Sequence, residues 1–320
     1  GNIAARMGRG SRVVCRGRLF PPRDAEAPDA VIGSGANVKD RRDKNTERDQ
    51  SFFGFPCCED HLRVNINGMC GINGFTFSDP DALRRMHQAT RHRGPDDEGF
   101  YETTDVSFAH NRLSIIDLSP AGRQPMSTPD GRYTIVFNGE IYNYRALRDE
   151  LEKTGERFRS QSDTEVLLHA FARWGEEALP RLNGIFAFAI WDRESKTLTL
   201  ARDHVGVKPL VYATDRKRLI FSSEIKGLLA HGVMREIDPD AMNVFFRFSY
   251  VPAPRTMFRG IWKLPPGSLL RWHAGEARVR RWWKVQEGEY FNDRRATICT
   301  LREKLQDAVT SQLVSDRPLG

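Results

Sequence analysis

The sequence predicts an α+β fold of antiparallel strands with flanking helices. Three observations predict it. Short strand-like apolar segments outnumber long helical ones, and the helices cluster in two places. The segments Ile185 to Trp191 and Thr197 to Ala201 flank a turn, Asp192 to Lys196, that is short enough only for antiparallel neighbours.

Residues 1–68 show no sustained period of 3.6 or 2, and the stretch KDRRDKNTERDQ at 39–50 is too polar to fold alone. From Cys70 the pattern sharpens. Gly71-Ile72-Asn73-Gly74-Phe75 reads as an apolar strand with glycine punctuation. Asp79-Pro80 then marks a helix start, Asp as cap and Pro at the first position, with Leu83, Met86 and Thr90 on one face. Val106 to Ala109, Leu113 to Ile116 and Tyr133 to Phe137 read as strands. Tyr144 to Lys153 and Thr164 to Trp174 read as amphipathic helices, the second with its stripe at Val166, Leu167, Ala170 and Phe171. Leu219 to Ser222 is a further strand. Beyond about Tyr290, Ile298, Leu301, Leu305, Ala308 and Gln312 mark one face of a long helix ending at Ser315-Asp316-Arg317-Pro318.

Length and composition bound the function. A chain of 320 residues suggests about two domains. Residues 1–69 hold 12 Lys and Arg against 9 Asp and Glu, and the remainder holds 37 against 33. Neither part is basic enough to call for nucleic acid. No apolar run reaches the roughly 18 residues of a membrane span. Cysteines at 15, 57, 58, 70 and 299 have no metal-ligand spacing, and their odd number argues against a disulfide framework. A reducing, cytoplasmic protein without nucleic-acid or membrane partners is expected.

Met69-Cys70 makes chemical sense as a beginning. An N-terminal cysteine has a thiol nucleophile and, beside it, a free α-amine that titrates near pH 8 and can take the thiol proton. Residues 1–69 are therefore expected to be translated upstream sequence or, in second place, a removed propeptide, a targeting arm being the third reading.

Downstream stand RHRGPDDEG at 91–99, AHNRLSIIDLSPAGRQPM at 109–126, FNGEIYN at 137–143 and SDTEVLLHAF at 162–171. LNGIFAFAIWD at 182–192, RDHVGVKPL at 202–210, FSSEIKGLL at 221–229 and YVPAPRTMFRGIWKLPPG at 250–267 follow. In this order and at these spacings the chain, from Met69 to its last residue, resembles the glutamine-hydrolysing asparagine synthetases, whose first domain is a class II, N-terminal-nucleophile glutamine amidotransferase.

The resemblance implies a four-layer αββα fold, layers that periodicity alone does not show. It implies a glutaminase domain at 70–290 and the opening helix of an ATP-using synthetase domain at 291–320. The terminal SDRPLG is similar to the segment before the family's SGGxDS pyrophosphate loop, and that loop is not in the sequence. No cofactor and no metal are then expected in this part. ATP and Mg2+ belong to the complete enzyme, with aspartate as its acceptor and a homodimer as its assembly.

The resemblance also assigns residues. Cys70 attacks the carboxamide carbon of glutamine. The side-chain amide of Asn138 and the backbone N–H of Gly139 supply the oxyanion donors, although Asn138-Gly139 alone reads as a turn. Arg112 takes the substrate α-carboxylate, for which a guanidinium fork is suited. Glu140 and Asp163 receive the α-ammonium, Asp163 doubling as a helix cap. Leu113 and Ile115 line the pocket through backbone groups. Arg93, Gly94 and Asp96 are scaffold for Cys70, and His92 is a base the amine mechanism does not need. Arg202, Asp203, Lys208 and Glu224 organise the domain interface and ammonia path or form structural ion pairs.

Two alternatives stay open at this level. One is the same architecture acting on another acceptor, a polysaccharide or secondary metabolite. The other is a non-catalytic module that binds glutamine or a partner with Cys70 never freed.

Overall fold

The computed structural model describes residues 69–215, 217–288 and 293–318. The expected leader, with Cys15, Cys57 and Cys58, lies outside the described residues. The strands in chain order are β1 (Gly71–Phe75), β2 (Asp97–Glu102), β3 (Ser107–Arg112), β4 (Met126–Ser127), β5 (Tyr133–Ile141) and β6 (Gly184–Asp192). They continue as β7 (Thr197–Arg202), β8 (Val211–Thr214), β9 (Leu219–Ser222), β10 (Ile261–Lys263), β11 (Ser268–His273) and β12 (Glu276–Arg281). The helices are α1 (Pro80–Thr90), α2 (Tyr144–Lys153), α3 (Asp163–Trp174), α4 (Ile225–His231), α5 (Pro239–Phe248) and α6 (Arg294–Ser311).

The strands form two six-stranded sheets, ordered β10-β8-β9-β1-β3-β2 and β12-β11-β7-β6-β5-β4. The ladders are antiparallel. Their packing follows from the period of two along a strand. On β6, Phe186, Phe188 and Ile190 join the cluster containing Leu147, Leu151, Val166 and Leu167 of α2 and α3. The intervening Ala187, Ala189 and Trp191 join a second cluster with Ile72, Phe108 and Phe221 of the opposite sheet. A third cluster places Ala82, Leu83 and Met86 of α1 and Leu228 of α4 against Phe75 and Ala109. Four layers result, in the order helices, sheet, sheet, helices. Each fully buried Phe or Leu in these layers contributes about 1.5–3 kcal/mol relative to exposure.

Local signals explain several boundaries. Asp79 caps α1, its Oδ1 accepting the Ala82 N–H at 2.9 Å, and Pro80 takes the position where a missing N–H costs nothing. The same Asp-Pro signal starts α5 at Asp238-Pro239, an element the sequence reading does not include. Polar edge strands such as β2 and β12 also escape it, because DEGFYE and EARVRR lack clean apolar alternation.

Other expectations are corrected. Leu113 to Ile116 is not a strand: the ladder ends at Arg112 and the apolar residues enter a loop. β5 runs on from Phe137 through Asn138-Gly139 to Ile141, so that pair is paired strand and not a turn. The cap of α3 is Ser162, whose hydroxyl accepts the Glu165 N–H, and Asp163 is the first helical residue. α6 ends at Ser311, and Ile298, Leu301 and Leu305 are exposed. No described helix is long and apolar enough to cross a membrane.

Candidate active site

Cys70 immediately precedes β1 and shares the parity of Ile72, which faces the layer between the sheets. Its Sγ lies 3.4 Å from the Leu113 N–H that donates to it and 3.5 Å from the Leu113 carbonyl. Burial pushes the thiol up, opposed by the Leu113 N–H and then by the charge of Lys208. Arg93 Nε donates to the Cys70 carbonyl at 3.0 Å, and the Met69 N–H donates to the Arg93 carbonyl at 2.8 Å. Cys70 is thus gripped on its carbonyl side, and the preceding Met69 lines the same cavity. Met69 Sδ accepts from Lys208 Nζ at 3.4 Å.

One open cavity of about 170 Å³ is lined by Cys70, Arg112, Leu113, Ile115 and, across it, Asn138, Gly139, Glu140 and Asp163. All eight residues named from the sequence converge there. Asn138 is buried, and among the described residues its Nδ2 has no hydrogen-bond partner. A buried amide donor normally finds an acceptor, so an unsatisfied one beside a nucleophile is available to a developing oxyanion. Gly139 is required by packing. A Cβ there would sit 2.2 Å from the Ile185 carbonyl oxygen and 2.7 Å from Phe186 Cα, so the glycine allows β5 and β6 to pair at this point.

Two acidic residues, Glu140 and Asp163, line the cavity. Asp163 Oδ2 accepts the Ile141 N–H at 2.9 Å. Burial pushes its carboxyl up to about 7, against that hydrogen bond and with help from the neighbouring Glu140 charge. Burial also raises Glu140, with Lys208 opposing. Among the described ion pairs neither carboxylate has a basic partner within 4 Å. Two unpaired carboxylates in one cavity suit a cationic group of a ligand.

Arg112 is buried at the end of β3. Its Nη2 donates to the Asp117 carbonyl at 2.5 Å and its Nη1 to the Ser119 carbonyl at 3.1 Å. It therefore shapes the loop that follows, in addition to presenting its charge to the cavity.

The surrounding residues sort clearly. Gly94 permits close backbone approach, since a Cβ would lie 2.4 Å from the Asn111 carbonyl oxygen. Asp96 Oδ2 accepts the Ser114 N–H at 2.9 Å and so fixes the loop beside Cys70. His92 is half-exposed, pairs with Glu224 and Lys226, and is not among the residues that line the cavity. Arg202 donates to the carbonyls of Lys208, Leu264 and Gly206, and Asp203 gathers backbone N–H groups from 205 to 208. Glu224 is held well down, to about 2, by Arg93, Lys226 and His92 against the cost of burial. These are structural partners; of the four residues expected at an interface, only Lys208 lines the cavity.

Sequence reasoning missed Gln124 and Thr164 as cavity residues. Gln124 Oε1 accepts the Phe137 N–H at 2.6 Å while its Nε2 donates to Thr164 Oγ1 at 3.2 Å. It thereby ties β5 to the start of α3, next to Asn138 and Asp163. Both lie within motif strings, but nothing local marks a glutamine as a bridge.

A glutamine amidotransferase domain matches residues 69–283. The glutamine-hydrolyzing asparagine synthetase 3 of Bacillus subtilis strain 168 is 39% identical over 261 residues, 78% of this chain and 42% of the relative. Asparagine synthetase B of Escherichia coli strain K12, also glutamine-hydrolyzing, is 35% identical over 264 residues, 79% of this chain and 42% of the relative. The chain spans less than half the length of these relatives. In fold it is similar to the glutamine phosphoribosylpyrophosphate amidotransferase of Bacillus subtilis solved with ADP and GMP, with a TM-score of 0.52, 20% identity, and 68% of this chain and 50% of that one covered. The chain belongs to the glutamine amidotransferase family, and its domain is an enzymatic amidotransferase domain of the kind that glutamine-hydrolysing asparagine synthetases carry.

Proposed function

We propose that this chain hydrolyses glutamine to glutamate and ammonia, as the glutaminase half of an asparagine synthetase. The observation that supports it best is the unsatisfied Asn138 amide in the same cavity as Cys70 and two unpaired carboxylates. Cys70 must first become N-terminal, because an amide nitrogen has no basic lone pair to take the thiol proton. The thiolate then adds to the carboxamide carbon, and the oxyanion is received by Asn138 Nδ2 and the Gly139 N–H. Collapse of the adduct, with the α-ammonium returning its proton to the leaving nitrogen, releases ammonia and leaves a γ-glutamyl thioester. Water attacks the thioester, and the thiol is restored as glutamate leaves. Arg112 holds the substrate carboxylate, Glu140 and Asp163 its ammonium, and Leu113 and Ile115 the side of its chain.

In the whole protein the ammonia amidates aspartate activated by ATP with Mg2+, in a homodimer. No described residue is assigned to ATP or Mg2+, and no step above depends on them. A cytoplasmic location belongs to the same reading and suits a mechanism that needs a reduced thiol. The test is glutamate release by a chain beginning at Cys70, compared with Cys70→Ala. Equal release by the two would refute the reading.

A further inference from the structure

After α6 the chain returns to the glutaminase domain. Val314 packs against the cluster beneath α2 and α3. The Asp316 N–H then donates to the Ile115 carbonyl at 3.0 Å, and Asp316 Oδ2 accepts the Asp117 N–H at 2.7 Å. Arg317 Nε donates to the Ser114 carbonyl at 2.5 Å, and its Nη2 to Asp96 Oδ2 at 2.8 Å. Asp96 is the same carboxylate that accepts the Ser114 N–H.

These contacts land on one short loop. Leu113, Ile115 and Ile116 of that loop line the cavity. It is an apolar run outside both sheets, so no strand ladder holds it. Asp117, at its end, sits at φ 54, in the left-handed region that Asp tolerates better than most L-residues. The Arg112 guanidinium holds the Asp117 carbonyl from the cavity side, and the strap at 314–317 holds the loop backbone from outside. The loop is clamped from both sides.

We infer that Asp316 and Arg317 are positioning residues of the substrate pocket: they hold Leu113 to Asp117 in the conformation that receives glutamine, and so couple pocket occupancy to the segment after α6. The inference rests on the proposed reading of glutamine as substrate. Coupling of this kind is reciprocal, so a filled pocket should in turn steady the strap. Both residues lie beyond the glutaminase domain expected from sequence, so a protein cut after residue 290 should bind glutamine poorly.

The test has two arms. In the full 320-residue chain, hydrogen–deuterium exchange is followed over 113–119 for wild type and for Arg317→Ala, Arg317→Lys, Asp316→Ala and Asp316→Asn. Exchange should quicken in the alanine variants and least in Asp316→Asn, which keeps an acceptor for the Asp117 N–H. In the chain beginning at Cys70, the alanine variants should raise the glutamine KM roughly tenfold. Their kcat should stay near wild type and Asp316→Asn should restore KM. Labelling of Cys70 by iodoacetamide should be unchanged, whereas labelling by a diazoketone analogue of glutamine should slow. If a variant loses its cooperative thermal transition, the milder Arg317→Lys and Asp316→Asn carry the comparison. Unchanged loop exchange, or unchanged KM with kcat lowered instead, overturns the inference. Absence of glutamine hydrolysis in wild type would remove the functional reading, while the exchange arm still decides whether the strap holds the loop.

Discussion

Asp163, the first residue of α3, accepts a hydrogen bond at 2.9 Å from the N–H of Ile141, the last residue of β5. This single contact aims the carboxylate into the cavity beside Glu140, where burial raises it to about 7. The strand end supplies Asn138, Gly139 and Glu140, the helix start supplies Asp163, and the bond keeps the two in register.

A pH signature follows. Burial pushes the Asp163 carboxyl up to about 7 in the folded state, against about 3.9 for a free aspartate, so between these values the folded state holds the extra proton. Stability should therefore fall as pH rises through that window and level off above it. Asp163→Asn should melt higher than wild type at pH 8, the gap closing toward pH 4, as thermal scans at both pH values will show. Glutamine binding needs the ionised carboxylate, so KM should drop as pH rises through about 7 in wild type and lack that limb in Asp163→Asn.

Asn138→Ala should lower kcat by roughly 10²–10³ with a small change in KM, since an oxyanion donor acts on the transition state and not on the ground state. Its Nδ2 donates to no acceptor among the described residues, so the variant should keep its melting temperature. A large loss of stability with kcat retained would reassign Asn138 to the scaffold.

Arg112→Ala should raise the glutamine KM by about tenfold to a hundredfold, the worth of a charge-assisted hydrogen bond. The two loop carbonyls that Arg112 holds also lose their donor, so part of the rise in KM comes from the loosened loop. A neutral primary amide without either charge should be a poor substrate for wild type. Turnover of that amide separates the effects: the part of the loss it shares with glutamine is the loop's, and the remainder is the carboxylate's.

A chain that begins at Met69 should lose that methionine and become active, and a chain with an uncut extension should not. In the structure the Met69 N–H is spent on the Arg93 carbonyl and its sulfur on Lys208. Intact mass and glutamate release on the same samples check this. Activity from a verified uncut chain would exclude the α-amine as base.

Gly139→Ala should damage folding more than chemistry alone predicts, because the added methyl meets the Ile185 carbonyl and Phe186 Cα. Reduced soluble yield and a lower melting temperature are the expected results, and a well-folded, merely slower enzyme would contradict the packing role.

Many of the fold's elements were legible locally, whereas their layering came from the resemblance. The alternation of β6, with Phe186, Phe188 and Ile190 on one face and Ala187, Ala189 and Trp191 on the other, already describes a strand between two cores. Asp79-Pro80 announces α1, and Tyr144 to Lys153 matches α2 to the residue. The candidate site was legible through its motifs, and the eight residues drawn from them share one cavity.

The sequence by itself determined the strands, caps and turns whose causes lie within a few residues: side-chain parity, and Asp and Pro at helix starts. Only the tertiary structure decided the rest. Leu113 to Ile116 has a strand's composition, yet no neighbouring edge offers it a ladder, so it becomes the pocket wall and depends on Arg112, Asp316 and Arg317. Asp163 looks like a cap, yet Ser162 caps, and the carboxylate is left to a cavity whose low polarity raises it toward neutrality. Pairing partners and local dielectric come from residues tens to hundreds of positions away, and no local pattern encodes them.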